Sequence, residues 1–95
     1  MVQYTTRLAT LEELRQYVLE TLSQLESLQS DRFELSQQIL NRSGAPCGIQ
    51  FCLHGPRELR LTAIWETDRN TILFYGSGGR RVQRTQLIDA PTIGA

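Results

Sequence analysis

The sequence predicts a two-layer α+β fold, a long N-terminal helix packed on a four-stranded antiparallel meander in the order αββββ. Two observations carry that prediction. Up to Gly44-Ala45-Pro46 apolar residues recur every three to four positions, and beyond it they alternate. The alternating half is also divided by turn-forming clusters: Gly55-Pro56, Thr67-Asp68-Arg69-Asn70 and Gly76-Ser77-Gly78-Gly79. A chain of 95 residues makes one domain of ordinary small size. Its expected bounds are 10–89, with 10–43 helical and 46–88 forming the sheet. The ends, 1–9 and 90–95, show no partner in the pattern and read as mobile.

The helical half starts sharply. Thr10 followed by Glu13 is a capping box, and Glu12 and Glu13 lie in the electropositive first turn. An apolar stripe then runs through Leu11, Leu14, Val18, Leu22, Leu25 and Leu28. No glycine or proline interrupts it before Gly44, which stands where a helix C-cap is expected. A helix from Thr10 to Ser43 would be about 51 Å long. The alternative is a break at Ser30-Asp31, where Asp31 and Glu34 form a second capping pair and Phe33 and Leu40 open a stripe on another side. Read in heptads, Leu11, Val18, Leu25 and Ile39 fill one core position and Leu14, Leu28 and Leu35 the other. Thr21, Arg32 and Arg42 interrupt them, which makes a weak coiled coil and a better sheet-packing face.

The expected strands are Pro46–His54, Glu58–Glu66, Thr71–Tyr75 and Arg80–Leu87. Ile49, Phe51 and Leu53, with Cys47 behind them, share one face. Leu59, Leu61, Ala63 and Trp65 share the matching face of the next strand. A three-residue loop, Gly55-Pro56-Arg57, puts both sets on the core side under the helix. An even loop at Asp68-Arg69 then pairs Trp65 with Ile72 and Ala63 with Phe74. Leu73 and Tyr75 are left on the outer face beside Ile64 and Cys52. A sheet with one solvated face does not need apolar residues there, so a covered contact patch is expected. Excess apolar surface on so small a domain favours self-association.

Composition excludes several chemistries. All ten basic residues are arginine, so there is no lysine for a P-loop, a Schiff base or a kinase site. His54 is the sole histidine, and with Cys52 on the same face it gives two metal ligands or a thiol–imidazole pair, short of a closed four-ligand zinc site. Cys47 and Cys52 lie five apart on a strand, facing opposite ways, so a local disulfide is not expected. Gly76-Ser77-Gly78-Gly79 leads into a strand, unlike a phosphate loop that feeds a helix. Acidic and basic residues balance at ten each. From Gly44 onward six arginines face four acids, a surplus of two, far below a nucleic-acid footprint.

The expected function is a non-enzymatic protein-interaction module: a small cytoplasmic adaptor, assembly factor or regulatory subunit, homodimeric or bound to another protein. Its contact residues are Ile64, Leu73 and Tyr75, rimmed by Arg60 and Arg84. One alternative is a single-stranded nucleic-acid module using Arg80, Arg81, Arg84 and Tyr75. A second is a thiol or metal site at Cys52 and His54. No cofactor, catalytic residue or membrane segment is expected.

Overall fold

The computed structural model describes residues 1–28, 33–89 and 91. In chain order the elements are β1 (Val2–Thr6), α1 (Leu11–Leu25), β2 (Glu34–Arg42), β3 (Ala45–His54), a single 3-10 turn (Pro56–Glu58), β4 (Arg60–Glu66), β5 (Thr71–Tyr75) and β6 (Arg81–Leu87). They form one six-stranded mixed sheet in the order β1-β6-β5-β4-β3-β2. The meander from β2 to β6 is antiparallel throughout, and β1 adds to β6 in parallel. The α+β layering is as expected; the four-stranded meander and the long helix are not.

The helix starts as the sequence dictates. Thr10 Oγ1 accepts from the Glu13 amide at 3.1 Å, and Leu14, Val18 and Leu22 are fully buried on one face. It ends far earlier than the expected Ser43. The Ser27 amide bonds to the Gln24 carbonyl and the Leu28 amide to the Ser23 carbonyl. That pair of bonds is a Schellman motif, and Ser27 takes its left-handed position at φ +54°. Glycine normally marks this position, so serine hid the stop. The expected break at Ser30-Asp31 lies outside the described residues. Ser27→Gly is expected to raise stability by about 0.5–1 kcal/mol, since glycine adopts positive φ without a Cβ clash. A shift of the urea midpoint at unchanged m-value is the check.

Residues 34–42, expected as helix, are a strand because the chain turns back at Ser43-Gly44. Arg42 pairs with Ala45, and the two residues between them have φ +52° and +80°. This is the type I′ hairpin turn, whose twist matches that of the strands. Leu35 and Ile39 are four apart, a spacing that shares a face in a helix and in a strand alike. Cross-strand pairing with Leu53 and Ile49 decided the matter against local propensity. The N-terminal segment, expected to be partnerless, supplies β1 from Val2, Tyr4 and Thr6, good strand formers whose partner β6 lies about eighty residues away. The expectation for 90–95 falls, apart from Pro91, outside the described residues.

The core lies between α1 and one sheet face. Leu14, Val18 and Leu22 cover Ile49, Phe51, Leu61, Ala63, Trp65, Ile72 and Phe74. Tyr17 meets Phe74 edge-on, with ring centroids 6.1 Å apart, and its hydroxyl bonds Thr85 at 3.0 Å. Trp65 pairs with Ile72 and Ala63 with Phe74, as expected. The β3–β4 loop is longer than expected, since His54 pairs with Arg60 and leaves five residues between them. Three and five are both odd, so the inward faces survive.

Candidate functional site: the open face of the sheet

With α1 on one side, the other side of the sheet is uncovered by any described element, and the register arranges its side chains in rows. One row holds Ser36, Cys52, Thr62 and Tyr75; the next holds Gln38, Gln50, Ile64, Leu73 and Arg84. His54 and Arg60 form a pair at one end, and Glu66, Thr71 and Gln86 a row at the other.

The expected patch is therefore assembled, with a change in emphasis. Ile64 stands directly opposite Leu73, and Leu73 opposite Arg84. Leu73 is only 7% exposed, so it is already buried within one chain. Ile64 and Tyr75 are half-buried and present the apolar surface. Arg60 is exposed at the far end, two residues along β4 from Thr62 and one row beyond Tyr75. The register slips between Phe74 and Tyr75, and this sets Arg81 opposite Tyr75. The Arg81 guanidinium lies 5.7 Å from the ring centroid, and Nη2 donates to the Tyr75 hydroxyl at 3.2 Å. Sequence reasoning placed Arg81 near Tyr75 but missed that the arginine bonds the tyrosine hydroxyl.

Among the described residues only two ion pairs form, Arg7–Asp89 and Arg42–Asp68. Among the described residues no carboxylate pairs with Arg60, Arg69, Arg81 or Arg84, and all four lie on or beside the open face. The helix side is the reverse: Glu12, Glu13, Glu20 and Glu26 are exposed there. Arg15, the basic residue of α1, reaches across to the Leu35 carbonyl and to Gln37 Oε1. The molecule is thus neutral overall but polarised: arginines outnumber the carboxylates Glu34 and Glu66 on the bare sheet, and the helix is acidic.

Two grooves flank the patch. One of about 440 Å³ is lined by Leu40, Cys47, Ile64, Glu66, Asp68 and Arg69 among others, and one of about 320 Å³ by Met1, Glu66, Arg69, Thr71, Leu73, Arg81 and Arg84. Cys47 was expected behind the core-facing Ile49. The β2–β3 register instead skips it, since Leu40 pairs with Gly48 and Asn41 with Pro46, and the bulged thiol lines the outer groove. Both cysteines are free thiols.

Cys52 and His54 do share the outer face. His54 Nε2 lies 3.0 Å from Ser36 Oγ, a pairing hidden while residues 34–42 read as helix. No carboxylate contacts the imidazole among the described residues, and Ser36 also donates weakly to the Cys52 carbonyl at 3.4 Å. A nucleophile needs its base oriented by a third group and an oxyanion site nearby; this exposed pair has the first link alone. Among the described residues no three His, Cys, Asp or Glu side chains converge as metal ligands. In the β5–β6 hairpin two loop bonds run internally, Gly76 N to the Arg80 carbonyl and Gly79 N to the Gly76 carbonyl, so those amides are not offered to an anion. No described helix is long and apolar enough to cross a membrane.

Comparison with family models, with curated proteins and with solved structures gave no match to this chain.

Proposed function

We propose that the protein is a non-enzymatic interaction module of the cytoplasm, an adaptor or regulatory subunit that holds another protein against the open face of its sheet. The observation that carries this reading is the half-buried Ile64 and Tyr75 set among arginines that have no carboxylate partner among the described residues. A partner that brings an apolar side chain to Ile64 and carboxylates to Arg60, Arg69 and Arg84 would satisfy both at once. Arginine forks bind carboxylates bidentately, which fixes orientation as well as affinity. Tyr75 favours this partner over single-stranded nucleic acid, because its hydroxyl is already engaged by Arg81, whose guanidinium stands 5.7 Å from the ring centroid and would have to move for a base to stack there.

The test avoids Leu73, whose burial makes its replacement a folding mutation. Ile64→Asp with Arg84→Glu puts negative charge where carboxylates are expected to dock. Proteins cross-linked to the wild type are identified, and affinity for each acidic one is measured with wild type and variant. The expected result is at least a tenfold loss for the variant, at unchanged far-UV circular dichroism. Equal affinities would remove the open face as the site. Binding to single-stranded oligonucleotides that weakens steeply with salt would favour the nucleic-acid reading instead.

A further inference from the structure

We infer that β2 is a self-pairing edge, and that two copies join antiparallel through it into one continuous twelve-stranded sheet. The strand Glu34–Arg42 ends the sheet, and no described strand lies beyond it. Natural edges are blunted by proline, inward charge or bulges. The stretch Leu35-Ser36-Gln37-Gln38-Ile39-Leu40 has no proline, glycine or charge. The bulge in the β2–β3 ladder places its extra residue, Cys47, on β3, so β2 itself runs regularly for nine residues. Ile39 faces the core side at this edge yet is 46% exposed.

The occupant follows from the charges at the two ends. A two-fold axis through Gln38 sets Glu34 of one copy opposite Arg42 of the other, and repeats the pair at the opposite end. A slip of two residues sets Glu34 opposite Leu40 or Gly44 and loses both pairs. The register through Gln38 is therefore the self-complementary one, as a closed two-fold interface requires. It also keeps faces aligned: the two Ile39 side chains become diagonal neighbours on the core side. Arg42 already meets Asp68 at 3.0 Å, but that pair is largely solvent-exposed and leaves guanidinium donors free. Arg15 bonds the Leu35 carbonyl from the helix side, and a carbonyl has a second lone pair for a strand. In the resulting dimer both helices cover one side and both open faces adjoin on the other, so the interaction face is doubled. The inference rests on the edge alone and stands whether or not the open face binds a partner.

Native mass by sedimentation, over a dilution series, tests it. The expected species is twice the 10.8 kDa chain, about 22 kDa, dissociating on dilution. Arg42→Glu and Glu34→Arg, each alone, should weaken the dimer by roughly tenfold, from attraction turned to repulsion at both ends. Combined in one chain they should restore it, because the swapped pair is again complementary. Ile39→Lys should leave a folded monomer, and dilution should speed hydrogen exchange selectively at Leu35–Ile39. A monomer at all concentrations overturns the inference. So does a dimer indifferent to the charge swap, or one lost in the Ile64→Asp variant, which would place the contact on the open face. An open-ended series of larger species would also overturn it, by showing head-to-tail pairing of β2 with β1.

Discussion

Trp65→Ala is expected to destabilise the fold by about 3–5 kcal/mol, the range for removing a large aromatic from a core that cannot collapse around the gap. The side chain is 1% exposed, on β4 between Ile49 of β3 and Ile72 of β5. Its indole Nε1 donates to Asn70 Oδ1 at 3.1 Å. Asn70 in turn donates through Nδ2 to the Leu87 and Asp89 carbonyls, while its own carbonyl accepts from the Leu87 amide. It does so from φ +49°, a conformation asparagine tolerates better than most residues. Trp65 thus fills the core and fixes the asparagine that ties the β4–β5 turn to the end of β6. A domain of this length has about 5–14 kcal/mol of total stability, so the variant loses a large share of it. The melting temperature should fall by more than about 12 °C. Trp65→Phe keeps most of the apolar area, leaves Asn70 Oδ1 without its donor, and should cost clearly less. Far-UV circular dichroism must follow the transition, since Trp65 is the sole tryptophan. A loss below about 1 kcal/mol for the alanine variant would mean that the core refills the space and that this account of Trp65 is wrong.

The parts of the fold legible in the sequence are those where one local signal has one meaning. Thr10 and Glu13 stand directly before an apolar stripe of helical period, and the alternation from Ile49 to Trp65 has the period of a half-buried hairpin alone. The parts that failed are those where two structures share a signal. Gly44 with positive φ suits a helix C-cap and a hairpin turn alike, and Leu35 with Ile39 fits both periods. The true helix end was hidden by a serine in the glycine position, and β1 by a partner distant in sequence. The face shared by the candidate residues was more legible than the topology, because parity survives a loop-length error of two. Ile64, Leu73 and Tyr75 share the outer face whether the first hairpin loop has three residues or five. What parity cannot give is exposure, and so Leu73 was expected at the surface although its neighbours enclose it.

Those same strands make the second large effect a matter of one hydrogen atom. Gly48 of β3 is buried between Leu40 of β2 and Glu66 of β4. A Cβ at this position would lie 2.3 Å from the Trp65 carbonyl oxygen and 3.4 Å from its carbon. Backbone in the middle of a ladder cannot swing aside as a side-chain tip can, so β3 and β4 would have to part by most of an ångström. That movement strains the neighbouring bonds from the Thr67 amide and hydroxyl, both of which end on the Cys47 carbonyl at 3.0 and 2.9 Å. Gly48→Ala is therefore expected to cost about 1–3 kcal/mol, the usual range for overpacking, and the bulkier Gly48→Val more. Gly78 is the matched control. A Cβ there meets nothing within 4 Å, and its replacement by alanine should be neutral or slightly stabilising through the unfolded chain. Urea midpoints of the two alanine variants decide the matter, with hydrogen exchange at Glu66 and Thr67 reporting whether the ladder has opened. If Gly48→Ala were as stable as Gly78→Ala, β3 and β4 could not approach as closely as this register requires, and the outer-face row through Glu66 and Thr71 would have to be redrawn.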